Sequence, residues 1–585
     1  TIDKRLEYYE DNNFRKGQIK KIVYSGSLTK PEQSAEYELG GVNNSELTTK
    51  IIESLAGSTD KRIFSQTRSV LSGRITSQTD INGNLAKFTY DSFGRLTTHT
   101  LCAQSPIYKQ TTNFSYPAPG QIKSIEPNGQ TFLREYDGQD RLVREYEYLD
   151  SENRRLTQEV SYDTKGRELR TTLYDYLADG SQLTQWSENQ YDEWGEVSVT
   201  TDSRGQKNYN YFDLVAMRRT EWTGKTFDKH KKVTTYNVDE TIKKIEMYGL
   251  DGKIFQTQTA TYTDERQTRQ LKTENEFGVT TVTYSYDGFG RVVVEDHDER
   301  DKGVLVPVSY SYVYEYPPYS TTANEASSIG IRIGLSIYLL GERTFDAWGR
   351  VTSFTQGDAT ENYTYEGTSS VPATTTTADG TVLYHEYIKE LDNKPKKIST
   401  SNPTQQQNFT YASATQFNSM ASEGERLLQN THDLRLRIIK QRAQTQPGQA
   451  KEVSSSYSSR GLLLTDTDAL GTVTQFDYNS LGQRSSCSDQ TLSTMFTYTD
   501  QGLLETEDIF NNQQGFPSGV NVSYKYDAKR RETSRRFSTP NDTLLDLEII
   551  TTYFPDDKLQ SVQLRDNNLV VGTRNFTYSA VGRLK

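Results

Sequence analysis

Three groups of residues have types and spacings that chemistry could use. Glu295-Asp296-His297-Asp298-Glu299 puts four carboxylates and an imidazole into five residues, hard oxygens and a nitrogen of the kind that hold a divalent cation. The spacing fits no EF-hand loop and follows a strand starting at Arg291, so the cluster reads as a solvated charged loop. Aspartates recur at 91, 137, 163, 192 and 287, and paired acids are what glycoside hydrolysis requires. Each sits at the first position of the same repeated turn, however, a placement that a catalytic pair would not need. The five histidines, at 99, 230, 297, 385 and 432, show no metalloprotease spacing, and neither a phosphate-binding Gly-rich loop nor a Gly-x-Ser-x-Gly elbow is present. The expectation is no catalytic residue, no metal and no cofactor.

The phrase that absorbs the aspartates is Tyr-Asp-x-x-Gly-Arg-apolar. It stands as Tyr90-Asp91-Ser92-Phe93-Gly94-Arg95-Leu96 and Tyr286-Asp287-Gly288-Phe289-Gly290-Arg291-Val292. Further copies carry Tyr136, Asp137 and Arg141; Tyr162, Asp163, Gly166 and Arg167; and, with Phe345 for Tyr, Asp346, Gly349 and Arg350. Looser ones start at Tyr191, Tyr478, Tyr498, Tyr526 and Tyr578. Tyr136 and Tyr162 are 26 residues apart, and Tyr162 and Tyr191 are 29 apart. A repeat of this period implies units that bury their apolar faces only by stacking on one another.

The elements that must position the phrase follow from its residues. Asp at the start of a reversal accepts backbone N–H groups, and Gly near its end takes positive φ without a Cβ clash. Runs such as Thr280 to Tyr286 and Thr472 to Tyr478 have the β-branched and aromatic alternation of strands. A second turn signal lies upstream, as Asn82-Gly83 does before Gly94. The unit therefore reads as turn, strand, turn, strand. The repeated Arg can reach back to the turn Asp or across to a neighbouring Tyr face.

These residues make the chain resemble the RHS or YD-repeat family, whose consensus is the same phrase. The repeats cover roughly residues 80 to 585, and residues 1–79 join as an N-terminal β segment continuous with them. The resemblance implies an all-β fold, an RHS/YD-repeat spiral β-sheet forming a hollow cocoon-like shell. As in polymorphic toxins and the B and C components of Tc toxins, such a shell encloses a C-terminal effector and helps deliver it. It also implies secretion or export by a specialised system, with other Tc-like subunits or secretion machinery as partners. Family members that carry a toxin close the array with Asp-Pro-x-Gly motifs; this chain has no Asp-Pro dipeptide, hence no visible self-cleavage site. Starting at Thr1 and stopping within a repeat at Lys585, it reads as a fragment or processed piece.

Composition agrees with a thin wall. Only 33% of residues are hydrophobic while 39 are Tyr, a ring that packs while its hydroxyl stays hydrogen-bonded. The net charge of −11 has no basic stripe, which argues against nucleic acid. Cys102 and Cys487 are too isolated for a metal site and read as separate thiols. No apolar run is long enough for a membrane helix.

Two rival functions remain open: a surface carbohydrate-binding or adhesion protein, with Trp194 and Trp348 as test positions, and a polysaccharide-acting enzyme with its site in an insertion. Smaller expectations are a short helix at 421–431, strand at 329–340 and from Leu434 to Ile438, and loops at 316–322 and 374–377.

Overall fold

The computed structural model describes residues 1–585 apart from 1–2, 11–18, 26–31, 41–44, 55–58, 225–228, 318–324, 403, 513–518 and 540–541. The described residues form 47 strands and one turn of 3-10 helix, Lys389–Leu391, with no α-helix. Successive strands pair antiparallel in chain order, the meander that short reversals allow.

The reversals come from the phrase itself. Strand Leu85–Tyr90 pairs with Leu96–Leu101, and the register shifts at the Tyr, between Thr89 and Tyr90. The same shift occurs at Tyr136, Tyr162, Tyr191 and Tyr286. Gly94 N–H bonds to Asp91 O at 2.9 Å and Asp91 N–H to Arg95 O at 2.9 Å. With Gly94 at φ +77°, this is a type I turn closed by a left-handed residue and a bulge. The upstream Asn82-Gly83 signal makes the same turn on Asp80.

The chain divides into two units: 1–155 with 314–331 and 337–452, and 156–313 with 332–336 and 453–585. Within each, the chain returns beside itself at a similar interval. In the first, Asn84 Nδ2 donates to Lys389 O at 2.8 Å, Asn128 Nδ2 to Leu434 O at 2.6 Å, and Arg62 Nε to Thr368 O at 3.3 Å. In the second, Arg460 Nη2 donates to Thr157 O at 3.0 Å and Asn275 Nδ2 to Ala580 O at 3.1 Å. Such contacts join residues 279 to 324 apart, an interval that strand pairing alone does not produce.

Few side chains are buried outright; Leu133, Val160, Leu183, Val233, Leu391 and Val522 are among them. Along most described strands neighbouring residues, which point to opposite faces, are both half-buried or exposed, which is why so few Leu, Ile and Val suffice.

Several local expectations are corrected. Residues 421–431 are a hairpin, Asn418–Glu423 paired with Arg426–His432, because Gly424 at φ +56° opens a two-residue reversal that a helix would not need. Residues 434–437 are a turn on Asp433, and the strand begins at Ile438. Thr374–Thr376 is a strand with partners on both sides rather than a loop. Glu295 to Glu299 lie inside strand Val292–Asp301 rather than in a loop; the pleat splits the five between two faces, with His297 Nε2 3.5 Å from Glu295 Oε2 on one of them. The apolar run 329–340 is strand, broken at Gly334 and Leu335. Most of the 316–322 segment lies outside the described residues.

Candidate functional site

Each Tyr-Asp turn is a small polar site with one carboxylate at its centre. Asp91 Oδ1 accepts the N–H of Phe93 at 3.0 Å and of Arg95 at 2.8 Å, while Oδ2 accepts Arg95 Nε at 2.8 Å. Asp137 with Arg141, Asp163 with Arg167, Asp287 with Arg291 and Asp346 with Arg350 repeat the arrangement. Gly166, Gly290 and Gly349 take the positive φ of Gly94. Asp140 stands in that conformation in the Tyr136 copy, at φ +58°. In the Tyr191 copy Asp192 still accepts the N–H of Trp194 and Glu196, but Glu196 supplies no guanidinium.

The electrostatics follow from those bonds. At Asp137 the hydrogen bond from the Arg141 side chain, then that from the Gln139 backbone, holds the carboxyl below the usual carboxylate range. At Asp91 and Asp287 burial pushes upward, and the backbone and side-chain bonds from Arg95 and Arg291 more than reverse it. A carboxylate stabilised as its anion and filled by three donors has little basicity to offer a substrate.

The other half of the phrase ties one repeat to the next. Arg167 lies over the Tyr191 ring, 4.1 Å from its centroid, and the Tyr191 hydroxyl donates to Glu168 O at 2.6 Å. The next repeat's Tyr is thus gripped by consecutive residues of the previous turn. Arg95 over Tyr116, Arg350 over Tyr365 and Arg531 over Tyr553 repeat the stack. The hydroxyls of Tyr90, Tyr286, Tyr478 and Tyr553 donate to Ile75, Thr268, Leu463 and Glu532, each the first residue of a strand that follows an earlier turn.

The structure adds copies that the phrase did not reveal. His432-Asp433-Leu434-Arg435-Leu436-Arg437 forms the same turn, with Asp433 accepting from Arg435 N, Arg437 N and Arg437 Nε and Leu436 in the glycine conformation at φ +68°. The Asp-to-Arg spacing of four residues is the signal that survives there. At Tyr457 the turn Asp is replaced by Ser458, whose Oγ accepts from Leu462 N at 2.9 Å and donates to Asp175 Oδ2 at 2.7 Å. Asp175 Oδ1 accepts Ser459 Oγ and Arg460 N, both at 2.8 Å. The missing carboxylate comes from a strand far away in sequence.

A comparable knot in the other unit centres on Glu147, which accepts Gln130 Nε2 at 3.0 Å, Arg155 Nη2 at 2.9 Å and Arg435 Nη2 at 2.5 Å. Burial would raise this carboxyl, but the Gln130 and Arg155 bonds and the Arg435 charge bring it below its ordinary value.

The remaining candidates do not converge. His297 stacks on Tyr310 at 4.9 Å and meets Tyr312 edge-on, Asp296 accepts Ser311 Oγ at 2.6 Å, and Asp298 accepts Ser309 Oγ at 2.5 Å. Among the described residues no group of His, Cys, Asp and Glu could hold a metal ion. Cys102 is buried and Cys487 partly so, both as free thiols. Trp194 is exposed, whereas Trp348 lies under Arg62, 4.7 Å from its ring centroid. Among the described residues no helix is long and apolar enough to cross a membrane.

Comparison with known proteins places these features. The family model described as RHS Repeat matches residues 71–101, which hold the Tyr90 copy. No curated protein matches the chain. Among solved structures, 99% of the chain aligns with the TcdB2-TccC3-TEV complex at 12% identity and a TM-score of 0.73, covering 40% of that chain. It aligns equally with the Photorhabdus luminescens Tc holotoxin pore, at 11% identity, a TM-score of 0.70 and 39% of that chain. The third is TcdB2-TccC3 without its hypervariable C-terminal region, at 12% identity, a TM-score of 0.72 and 39% of that chain. The chain thus spans about 40% of the length of the structures it matches.

Proposed function

We propose that this chain, which carries the RHS repeat and has the all-β RHS fold of the Tc toxin complexes, is a non-catalytic wall that encloses an effector polypeptide and helps deliver it. The observation that carries this reading is where the repeat spends its chemistry. The Asp is filled by its own turn, and the Arg and Tyr fasten neighbouring repeats, so the one motif that recurs along the chain serves construction. A sheet with solvent on both faces suits a partition between a compartment and its surroundings.

In this reading residues 80–585 form the shell and 1–79 continue it. The partners are a C-terminal effector or toxin, further Tc-like subunits or a secretion machinery, and the site of action is outside the producing cell. The motif residues, from Tyr90, Asp91, Gly94 and Arg95 to Asp346, Gly349 and Arg350, have a structural role.

The test is protection. A protease-sensitive, unfolded passenger fused after Lys585 should survive digestion while the shell is intact and be cut once the shell is unfolded. Equal cleavage before and after unfolding would remove the encapsulation reading. Glycan binding lost on substitution of exposed Trp194 would favour the adhesion reading instead, and turnover of a polysaccharide the enzymatic one.

A further inference from the structure

Like the Asp140 and Leu436 turns, one further turn lacks the glycine, and there a cavity opens beside it. In Tyr526-Asp527-Ala528-Lys529-Arg530-Arg531 the position that holds Gly94 or Gly290 elsewhere is Arg530, at φ +66°. A side chain is disfavoured in this conformation, and such strain persists where the surroundings require it. The Arg530 side chain reaches the Gln206 amide oxygen, 324 residues away, with Nη1 and donates Nη2 to Gln501 O at 3.1 Å. Both acceptors are neutral. Its Nε is buried with no hydrogen-bond partner, and among the described residues no carboxylate pairs with it.

Arg530 lines a concavity of about 310 Å³ together with Arg204, Lys207, Thr223, Asp500 and Gln501, a volume at the lower end of ordinary ligand sites. Asp202 takes the Arg204 charge through Nε at 3.0 Å and Nη2 at 2.7 Å. Lys207 has no ion pair among the described residues. Two cations thus face the cavity without a countercharge of their own, against one carboxylate, Asp500, in a chain whose net charge is −11. Nε is sealed from solvent, but Nη1 and Nη2 each keep a second N–H beyond the one given to Gln206 or Gln501, and a guanidinium with such donors lining the same concavity as an ammonium is the arrangement that recognises an oxyanion.

We propose that this concavity is an oxyanion-binding site in which Arg530 and Lys207 hold a small phosphate- or carboxylate-bearing ligand. The proposal stands independently of the shell reading. Arg530 supplies directional donors, Lys207 supplies charge, and Asp500 disfavours anions too large to keep clear of it.

The test is calorimetric titration of the intact chain with sodium phosphate and, separately, sodium acetate, at ionic strength held constant with chloride. Saturable binding is expected, tighter for phosphate if the natural group is a phosphate and tighter for acetate if it is a carboxylate. Arg530→Gly keeps the turn, since glycine suits its φ, and should weaken binding at least about tenfold, the scale of one charge-assisted contact. Lys207→Gln, on the rim, should weaken it measurably without affecting folding, and decides alone if Arg530→Gly does not fold. Absence of saturable binding for both anions, or unchanged affinity in the variants, would overturn the proposal and leave Arg530 a structural tie to Gln206.

Discussion

Asp175 accepts the hydroxyl hydrogen of Ser458 at 2.7 Å although 283 residues separate them. Ser458 stands where other repeats carry the turn aspartate, so a strand of one run completes a turn of another. Both side chains are buried, Ser458 at 1% and Asp175 at 7% exposure, which makes the contact costly to break.

Asp175→Ala leaves the hydroxyls of Ser458 and Ser459 and the N–H of Arg460 without their acceptor. The expected destabilisation is about 3 kcal/mol, since an orphaned buried polar group costs on the order of 1–3 kcal/mol. Ser458→Ala should cost less, and the double variant less than the sum of the singles by at least about 0.5 kcal/mol. Urea unfolding of the four proteins measures this; strict additivity would mean that the pair is not coupled.

The grip on Tyr191 separates into two parts. Tyr191→Phe takes the 2.6 Å donor from Glu168 O and leaves it the longer bond from Asn189 Nδ2 at 3.4 Å, and Arg167→Lys replaces a flat guanidinium on the ring by a point charge. Each should cost about 1 kcal/mol, the scale of a net hydrogen bond or of one cation–π contact. Hydrogen exchange of strand Glu168–Tyr176 should quicken in both variants, and unchanged protection would argue that the contact is incidental.

Positive φ can be isolated from crowding by comparing turns. A Cβ on Gly83, at φ +85°, meets nothing within 4 Å, while one on Gly94 meets the Arg74 guanidinium at 2.3 Å and one on Gly290 the Gln267 amide at 2.7 Å. Gly83→Val, Gly94→Val and Gly290→Val should each lose roughly 1–3 kcal/mol from backbone strain. The last two should lose more, because flexible neighbours must also move. Thermal melts with no change in any of the three would contradict the turn assignment.

Stability should fall at both ends of the pH scale. The turn carboxyls of Asp91, Asp137, Asp163, Asp287 and Asp433 sit below the ordinary carboxylate value in the fold. Their contribution is whole above the unfolded value of about 3.9 and is lost as pH drops through the lower folded values. Tyr310 and Tyr363 are pushed up to about 12, Tyr310 first by burial and then by Glu299, Tyr363 first by its bond to Glu361. Their contribution is whole below about 10 and disappears as pH rises through the folded value. Melting temperatures across pH, with tyrosinate absorbance at the alkaline end, check both limits; a flat acid limb would contradict the carboxylate part.

What was legible in the sequence was local. Asp91, Gly94 and Arg95 announce their turn because the bonds that close it all join residues within five of one another. The copy at His432 was hidden because His replaces Tyr and Leu436 replaces Gly, although Asp433 and Arg437 kept their spacing. The hairpin at Gly424 passed for a helix because its strands mix Ser, Glu and Gln with few apolar residues, which blurs the period of two. Asp175 with Ser458 and Glu147 with Arg435 had no local sign at all, since the contact depends on where the chain returns. The cavity beside Arg530 shares that origin, for Arg204 and Asp500 meet only in the folded unit.

The central claim is enclosure, and electron cryomicroscopy of the intact chain carrying the C-terminal passenger tests it most directly. The account predicts a thin β-sheet wall around a solvent-sized interior, with diffuse passenger density inside. A solid particle, or a passenger seen only outside the wall, would contradict it.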